Sequence, residues 1–337
     1  MLMDKLKSIK RKSGQNAIII VALILLVILF YFLNPNFLNK YNIVSMAQSL
    51  APYAIMGLGV TFAIATGGID LSIGTVCIAS SVVAGKLYSD GLIPLWVTIP
   101  VMIIIGGFFG LINGFLIAKC KLPAFIATLG TMMISRGLSA IIVNTPNIFY
   151  PTSTWFNKLF SNYNGFPIGL LWVLCFMLIC MYLMYKNKIG RYIFSIGSNE
   201  EATYISGINT DKYKIIAYVI TGLSAGIAAI FWSASFVTVA TASGNGMELD
   251  AIAGVYIGGT SATGGVASVG GSLIGAIMLV VIRSGLNFVL ALMNININST
   301  YVTYVLTGVI VVLSVFIEVF RQNVGRNVKK ILKKVEK

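Results

Sequence analysis

Apolar runs long enough to cross a bilayer recur along almost the whole chain, and that pattern limits its fold more than any other feature. A crossing helix needs about 20 apolar residues. Such runs fall at 17–33, 43–66, 72–88, 94–118, 123–143, 167–185, 214–236, 249–262, 268–292 and 301–320. Charged residues make up 10% of the 337 and hydrophobic ones 57%, whereas a water-wetted domain carries about 25% charge. The chain reads as an all-α polytopic membrane protein with about ten transmembrane helices.

The net charge of +14 resembles a nucleic-acid footprint until its distribution is read. Basic residues gather at Lys5, Lys7, Lys10, Arg11 and Lys12, then at Lys186, Lys188, Arg191, Lys212 and Lys214. A third group is Arg321, Arg326, Lys329, Lys330, Lys333, Lys334 and Lys337. Lys and Arg beside spans mark the cytoplasmic face. An even number of spans agrees, keeping both ends on that side. The resulting division is a basic cytoplasmic segment 1–16, a transmembrane domain 17–320 with a cytoplasmic loop at 186–213, and a basic cytoplasmic tail 321–337. The 144–166 segment then lies outside. The first run follows a basic stretch without a small-residue cleavage pattern, so it reads as a retained anchor.

No histidine is present, and Cys77, Cys120, Cys175 and Cys180 form no CxxC pair. A metal site and a general acid–base centre are both unexpected on those grounds. GxSxG, HExxH and GxxxxGK[ST] are missing too, so no catalytic residue and no ATP site of the chain's own is expected.

Glycine interrupts two of the apolar regions, 43–88 and 249–292, and these regions resemble each other. One constant shift lays Ala54, Ile55 and Gly57 on Ala251, Ile252 and Gly254, and Thr66-Gly67-Gly68 on Thr263-Gly264-Gly265. It also lays Gly74 on Gly271. We read two pseudo-repeated halves with glycine-broken helices. Broken helices in matching halves point to a transport pathway, and close helix packing is the alternative use of such glycines.

Ionisable groups inside a membrane cost about 2.5–3.5 kcal/mol on insertion scales, so the few present are candidates. Asp70 sits in Gly68-Ile-Asp-Leu-Ser-Ile-Gly74, where its carboxylate can accept from N–H groups opening the next helix. It serves either a pathway break or a structural cap. Glu248 and Asp250 open the eighth run, and Arg136 and Arg283 are expected to pair with such acids. Glu318 lies near the inner end of the last run. Asn113 and Thr128 line a polar path or join helices by hydrogen bonds. The pathway set is therefore Gly67, Gly68, Asp70, Ser72, Gly74, Asn113, Thr128, Glu248, Asp250, Gly258, Gly259, Gly264 and Gly265.

Within 186–213, Ser198 or Asn199 can cap a short helix whose first turn holds Glu200 and Glu201 and which Gly207 ends. It reads as a docking knob or an ordinary connector.

Glu201-Ala202-Thr203-x-x-x-Gly207 is similar to the EAAxxxG loop by which bacterial ABC-importer permeases dock on their ATPase. Gly68–Gly74, Pro123-Ala-Phe-Ile-Ala-Thr-Leu-Gly130, Gly190-Arg-Tyr-Ile-Phe-Ser-Ile-Gly197, Ser206-Gly-Ile-Asn209, Glu248-Leu-Asp-Ala-Ile-Ala253, Gly258-Gly-Thr-Ser261 and Gly264-Gly265 extend the likeness to ribose/galactose-type monosaccharide ABC permeases, from about residue 35 to 320. The resemblance implies a permease dimer, formed with itself or a paralogue, in the bacterial cytoplasmic (inner) membrane. It implies a tandem-cassette ATPase inside that holds ATP and Mg, an extracytoplasmic sugar-binding protein outside, and no cofactor on this chain. Its ATPase-coupling residues would be Gly190, Arg191, Gly197, Asn199, Glu200, Glu201, Ala202 and Gly207. Thr203 departs from the docking pattern. Ala267 and Ser268 stand where a basic residue often follows the double glycine, and 240–247 has no match. Nucleoside and autoinducer-2 permeases share the scaffold, although Gly67-Gly-Ile-Asp-Leu-Ser72 looks more like the sugar branch. An ion-coupled secondary transporter is the alternative from another class, with Asp70 its one coupling acid.

Overall fold

The computed structural model describes residues 2–292 and positions 302, 305, 308, 309, 312, 313 and 316, with side chains from 17 onward to 290 and at those later positions. The basic side chains of 1–16, most of the run at 301–320, Glu318 and the tail at 321–337 lie outside that description.

Nearly everything described is helical. α1 (Leu2–Leu33) carries the first apolar run as its second half, continuous with the basic segment, and a 3-10 turn at Pro35–Leu38 leads to α2 (Lys40–Ala65). Then come α3 (Ile73–Ser89), α4 (Thr98–Ala118) and α5 (Ala124–Val143). The external loop expected at 144–166 holds a strand β1 (Asn147–Phe149) and a short α6 (Trp155–Phe160). α7 (Gly169–Tyr185) bends by 65° into α8 (Lys188–Ser198), followed by α9 (Glu200–Ile205) and α10 (Thr210–Phe236). A strand β2 (Thr238–Ala240), α11 (Met247–Ile257) and α12 (Val269–Leu292) complete the order.

Five described helices are long and apolar enough to cross a membrane, or six if α7 with α8 is one bent span. The apolar parts of α1 and α3 are shorter. The run at 249–262 is not a span: α11 has 11 residues, about 16 Å of helix against some 30 Å of hydrocarbon. The apolar run ends at Ile257, where Gly258-Gly259-Thr260-Ser261 follow and the helix stops.

α2 is the central post. From Leu50 to Ala65 every residue except Tyr53 is buried, as befits a helix apolar on all sides. α10 packs against it, and α10 with α4 forms the tightest helix pair, running antiparallel. A Cβ on Gly106 would lie 2.3 Å from Gly222 O, and one on Gly110 would lie 2.4 Å from Tyr218 O. Here the small residues are used for close helix approach. Phe32, Ile104, Ile141 and Leu178 project from α1, α4, α5 and α7 with 62–79% exposure, an apolar belt suited to lipid. β1 and β2 pair antiparallel, Ile148 opposite Val239, which brings the 144–166 segment to the end of α10 away from α9.

Candidate functional site

The chain leaves the helix twice at comparable places, at 66–72 between α2 and α3 and at 258–268 between α11 and α12. Both breaks lie at the α9 end, and they touch. Gly67 and Gly264 have φ of +85° and +79°, which glycine adopts without a Cβ penalty. A Cβ on Gly264 would sit 2.6 Å from Gly67 N and 3.0 Å from Gly197 Cα. Gly265 N donates to Ala65 O at 3.0 Å. On α8, a Cβ at Gly197 would meet Ala65 O at 2.0 Å and Gly265 N at 2.3 Å. Three backbones therefore meet where no side chain fits, and one belongs to the loop between the bundle's two parts.

The remaining glycines divide by use. Gly68 faces Tyr218 Oη, Gly74 faces Glu248, and Gly258 lies on the backbone of Gly271. Gly259 N closes the turn after α11 by donating to Tyr256 O at 2.9 Å. Gly258 is thus a helix-packing residue rather than an opened turn.

A buried polar chain follows the first break. Asp70 Oδ1 accepts from Ser72 N at 2.9 Å, from Ser72 Oγ at 2.6 Å and, at 3.5 Å, from Asn113 Nδ2. Asn113 Nδ2 also donates to Ser72 Oγ at 2.9 Å, and its Oδ1 accepts from Thr131 Oγ1 at 2.7 Å. Ser135 Oγ donates to Thr75 Oγ1 at 2.9 Å. Thr128 bonds mainly back to Ala124 O at 2.8 Å and reaches Ile69 O only at 3.5 Å. Asp70, Ser72 and Asn113 are thus brought together, with neutral donors only. Thr131 and Ser135 were not singled out, although Thr128, Thr131, Ser135 and Ser139 recur at helical spacing along α5 and form a legible polar stripe.

The second acid is held differently. Asp250 pairs with Arg283 Nη2, while Arg283 Nη1 donates to Tyr53 Oη at 3.0 Å and the guanidinium lies 5.2 Å from that ring's centroid. The expected partnership of Arg283 with an acid is present. Arg136 acts on Glu248 through its charge but makes no ion pair with it, and Arg136 Nε and Glu248 Oε2 lack hydrogen-bond partners among the described residues. Glu248 Oε1 accepts from Gly246 N at 3.2 Å.

At the α9 end, Asn199 Oδ1 caps α9 by accepting from Ala202 N at 2.9 Å. Thr203 is buried; its Oγ1 donates to Asn199 O at 2.7 Å and lies 2.8 Å from Ser195 Oγ. The departure at Thr203 thereby has a physical use, since an alanine could not tie α9 to α8. Glu201 and Ala202 are exposed, Tyr204 and Ile205 by 69% and 77%. Gly207 ends the helix at φ +82° with open space around it. Gly190 seats α8 under α7, a Cβ there meeting Met184 O at 1.9 Å, and Arg191 is exposed. Glu200 pairs with Lys214, and Asp211 holds Lys119 at 3.0 Å and Lys121 at 2.8 Å. The Asp211 hydrogen bond keeps the Lys121 ammonium above its ordinary range. An open groove of about 570 Å³ runs between Lys121, Glu200, Glu201, Tyr204, Thr210 and Asp211.

The profile of the family described as "Branched-chain amino acid transport system / permease component" matches residues 42–315. The chain is 34% identical over 307 residues to the ribose import permease protein RbsC of Escherichia coli K12, covering 89% of this chain and 92% of that one. It is 30% identical over 290 residues to the D-allose transport system permease protein AlsC of the same organism, covering 86% and 87%. It is 32% identical over 270 residues to the fructose import permease protein FruG of Bifidobacterium longum, covering 77% and 79%. No solved structure matches.

Proposed function

The chain belongs to the branched-chain amino acid transport system permease family, and from that premise we propose that it is the membrane-spanning permease subunit of an ATP-driven monosaccharide importer. The relatives named for ribose, allose and fructose support a sugar over an amino acid. In this reading both termini, α8 and α9 face the cytoplasm of the bacterial inner membrane. A tandem-cassette ATPase grips α9 and supplies ATP and Mg, and an extracytoplasmic binding protein delivers sugar at the β1–β2 end. A second permease copy or a paralogue completes the pathway, and the matched motifs around the two breaks descend from one duplicated unit.

The observation that carries the proposal is the contact of Gly197 with both breaks. A push on α9 passes through the Asn199 cap and the Ser195–Thr203 hydroxyl pair to α8. From there it reaches Ala65 and Gly265 by backbone contact, with no flexible side chain between. One displacement at the ATPase therefore shifts the two broken helices together. Exposed Tyr204 and Ile205 give the partner an apolar seat beside Glu201.

The test is co-purification of the tagged chain with its ATPase. Wild type is expected to capture it, and Glu201→Arg to lose capture and uptake while still inserting in the membrane. Full uptake by Glu201→Arg would defeat the assignment of α9.

A further inference from the structure

At the end away from α9, a cavity of about 350 Å³ opens between α2, α10 and α12. It lies within the range of about 300–1,000 Å³ typical of small-molecule sites. On the α2 wall it runs from Asn42 to Tyr53, about 16 Å of helix. Its floor is the cluster of Arg283 with Asp250 and Tyr53, beyond which only about 10 Å³ of space remains.

Two kinds of surface meet there. Trp232 and Phe236 lie with ring centroids 4.4 Å apart, and Tyr53 stands edge-on to Trp232 at 6.3 Å, giving flat apolar faces. Opposite them, Ser284 Oγ donates to Asn42 Oδ1 at 2.9 Å, and Ser49 and Asn287 add neutral donors and acceptors. The lining cation is already paired with Asp250 and bonded to Tyr53. Among the described lining residues, then, no unpaired cation is left for a phosphate or carboxylate and no unpaired acid for an ammonium. Trp232 Nε1 and Arg283 Nε are buried behind the wall without partners among the described residues, so the wall offers neutral hydroxyls and amides and no unspent charge. Neutral hydroxyl-binding groups facing ring faces suit a polyol with an apolar flank.

We infer that this cavity is a monosaccharide-binding vestibule, with Trp232 and Tyr53 as its ring platform and the Arg283–Asp250 pair as its floor. The inference rests on the importer reading and adds to it where the sugar sits after leaving the binding protein. An amino acid would bring a zwitterion to a wall whose described charges already satisfy each other.

The test uses right-side-out vesicles carrying the whole importer, with Ser49→Cys in a chain whose exposed Cys120 and Cys175 are serine. A small charged methanethiosulfonate is added from outside. Labelling is expected, slowed at least fivefold by whichever of D-ribose, D-allose or D-fructose the vesicles accumulate and unchanged by L-leucine. Trp232→Phe is expected to abolish protection while ATPase capture persists. Ser284→Cys serves as a second reporter should Ser49→Cys fail to fold. Equal labelling rates with and without a sugar that the vesicles accumulate would overturn the vestibule and leave the importer standing. Protection by leucine, with none of the three sugars accumulated, would overturn both.

Discussion

The two helix breaks answer the same problem, polar groups inside a membrane, by opposite means. At 66–72 the acid is in the break itself: Asp70 is caged by the hydroxyl and amide of Ser72 and by Asn113. At 258–268 the matched position is Ala267, and the acid stands on the preceding helix, where Asp250 is neutralised by Arg283. The first break is short and joins α2 and α3 tightly, so the backbone N–H of Ser72, just before α3, is at hand to bind the carboxylate. The second follows a half-length helix and is longer, and its stability comes from glycine contacts, Gly258 on Gly271 and Gly254 on Gly275. The lesson is that a shared glycine pattern fixes where a helix breaks, whereas the polar residues around it fix how rigid the break is.

That contrast can be broken most sharply at the ion pair. Arg283→Leu leaves Asp250 buried beside an apolar side chain, and removing one partner of a buried pair costs about 3–5 kcal/mol. The double variant with Asp250→Leu is expected to recover much of the loss, measured as thermal melting in detergent. Equal melting of single and double variants would mean the pair is not what satisfies Asp250. Next in size is Gly264→Ala: a left-handed non-glycine costs about 1–2 kcal/mol, and here the new methyl also meets Gly67 N at 2.6 Å. Gly67→Ala, whose Cβ would find Thr263 O at an ordinary 3.4 Å, is expected to lose less stability and less uptake. A reversed order would place the rigid contact on the wrong break. Smallest is Asp70→Ala: Asn113 Nδ2 keeps its nearer acceptor Ser72 Oγ and the Ser72 hydroxyl can rotate, so one buried donor, Ser72 N, is left unmet at about 1–3 kcal/mol. Asp70→Asn should recover part of this through its own carbonyl oxygen. A melting point unchanged by Asp70→Ala would show that the cage is not structural.

Much of this was legible in the residues. Apolar length marked most helices, Gly67 and Gly264 marked both breaks, and Asn199 with Glu200 and Glu201 marked the start of α9. The short α11 was legible only in part: Gly258-Gly259-Thr260-Ser261 follow its last apolar residue, but the packing of Gly258 on Gly271 is tertiary. Thr131 was legible as a member of the polar stripe on α5, but its partner Asn113, on another helix, was not. The meeting of Gly197 with both breaks is tertiary: its local sequence gives a helix with a glycine in it, and only the fold brings Ala65 and Gly265 to that glycine. Arg136 lies between: its charge acts on Glu248, as the charge pattern suggested, without closing an ion pair among the described residues.

The central claim is that α8 transmits the ATPase stroke to both breaks through the backbone at Gly197. Sugar taken up per ATP hydrolysed, measured in proteoliposomes for wild type and Gly197→Ala, tests it directly. A methyl there would stand 2.0 Å from Ala65 O and force α8 off the junction while leaving α9 free to dock. The account predicts that ATPase capture is kept and the ratio falls at least tenfold. Capture with an unchanged ratio would contradict it.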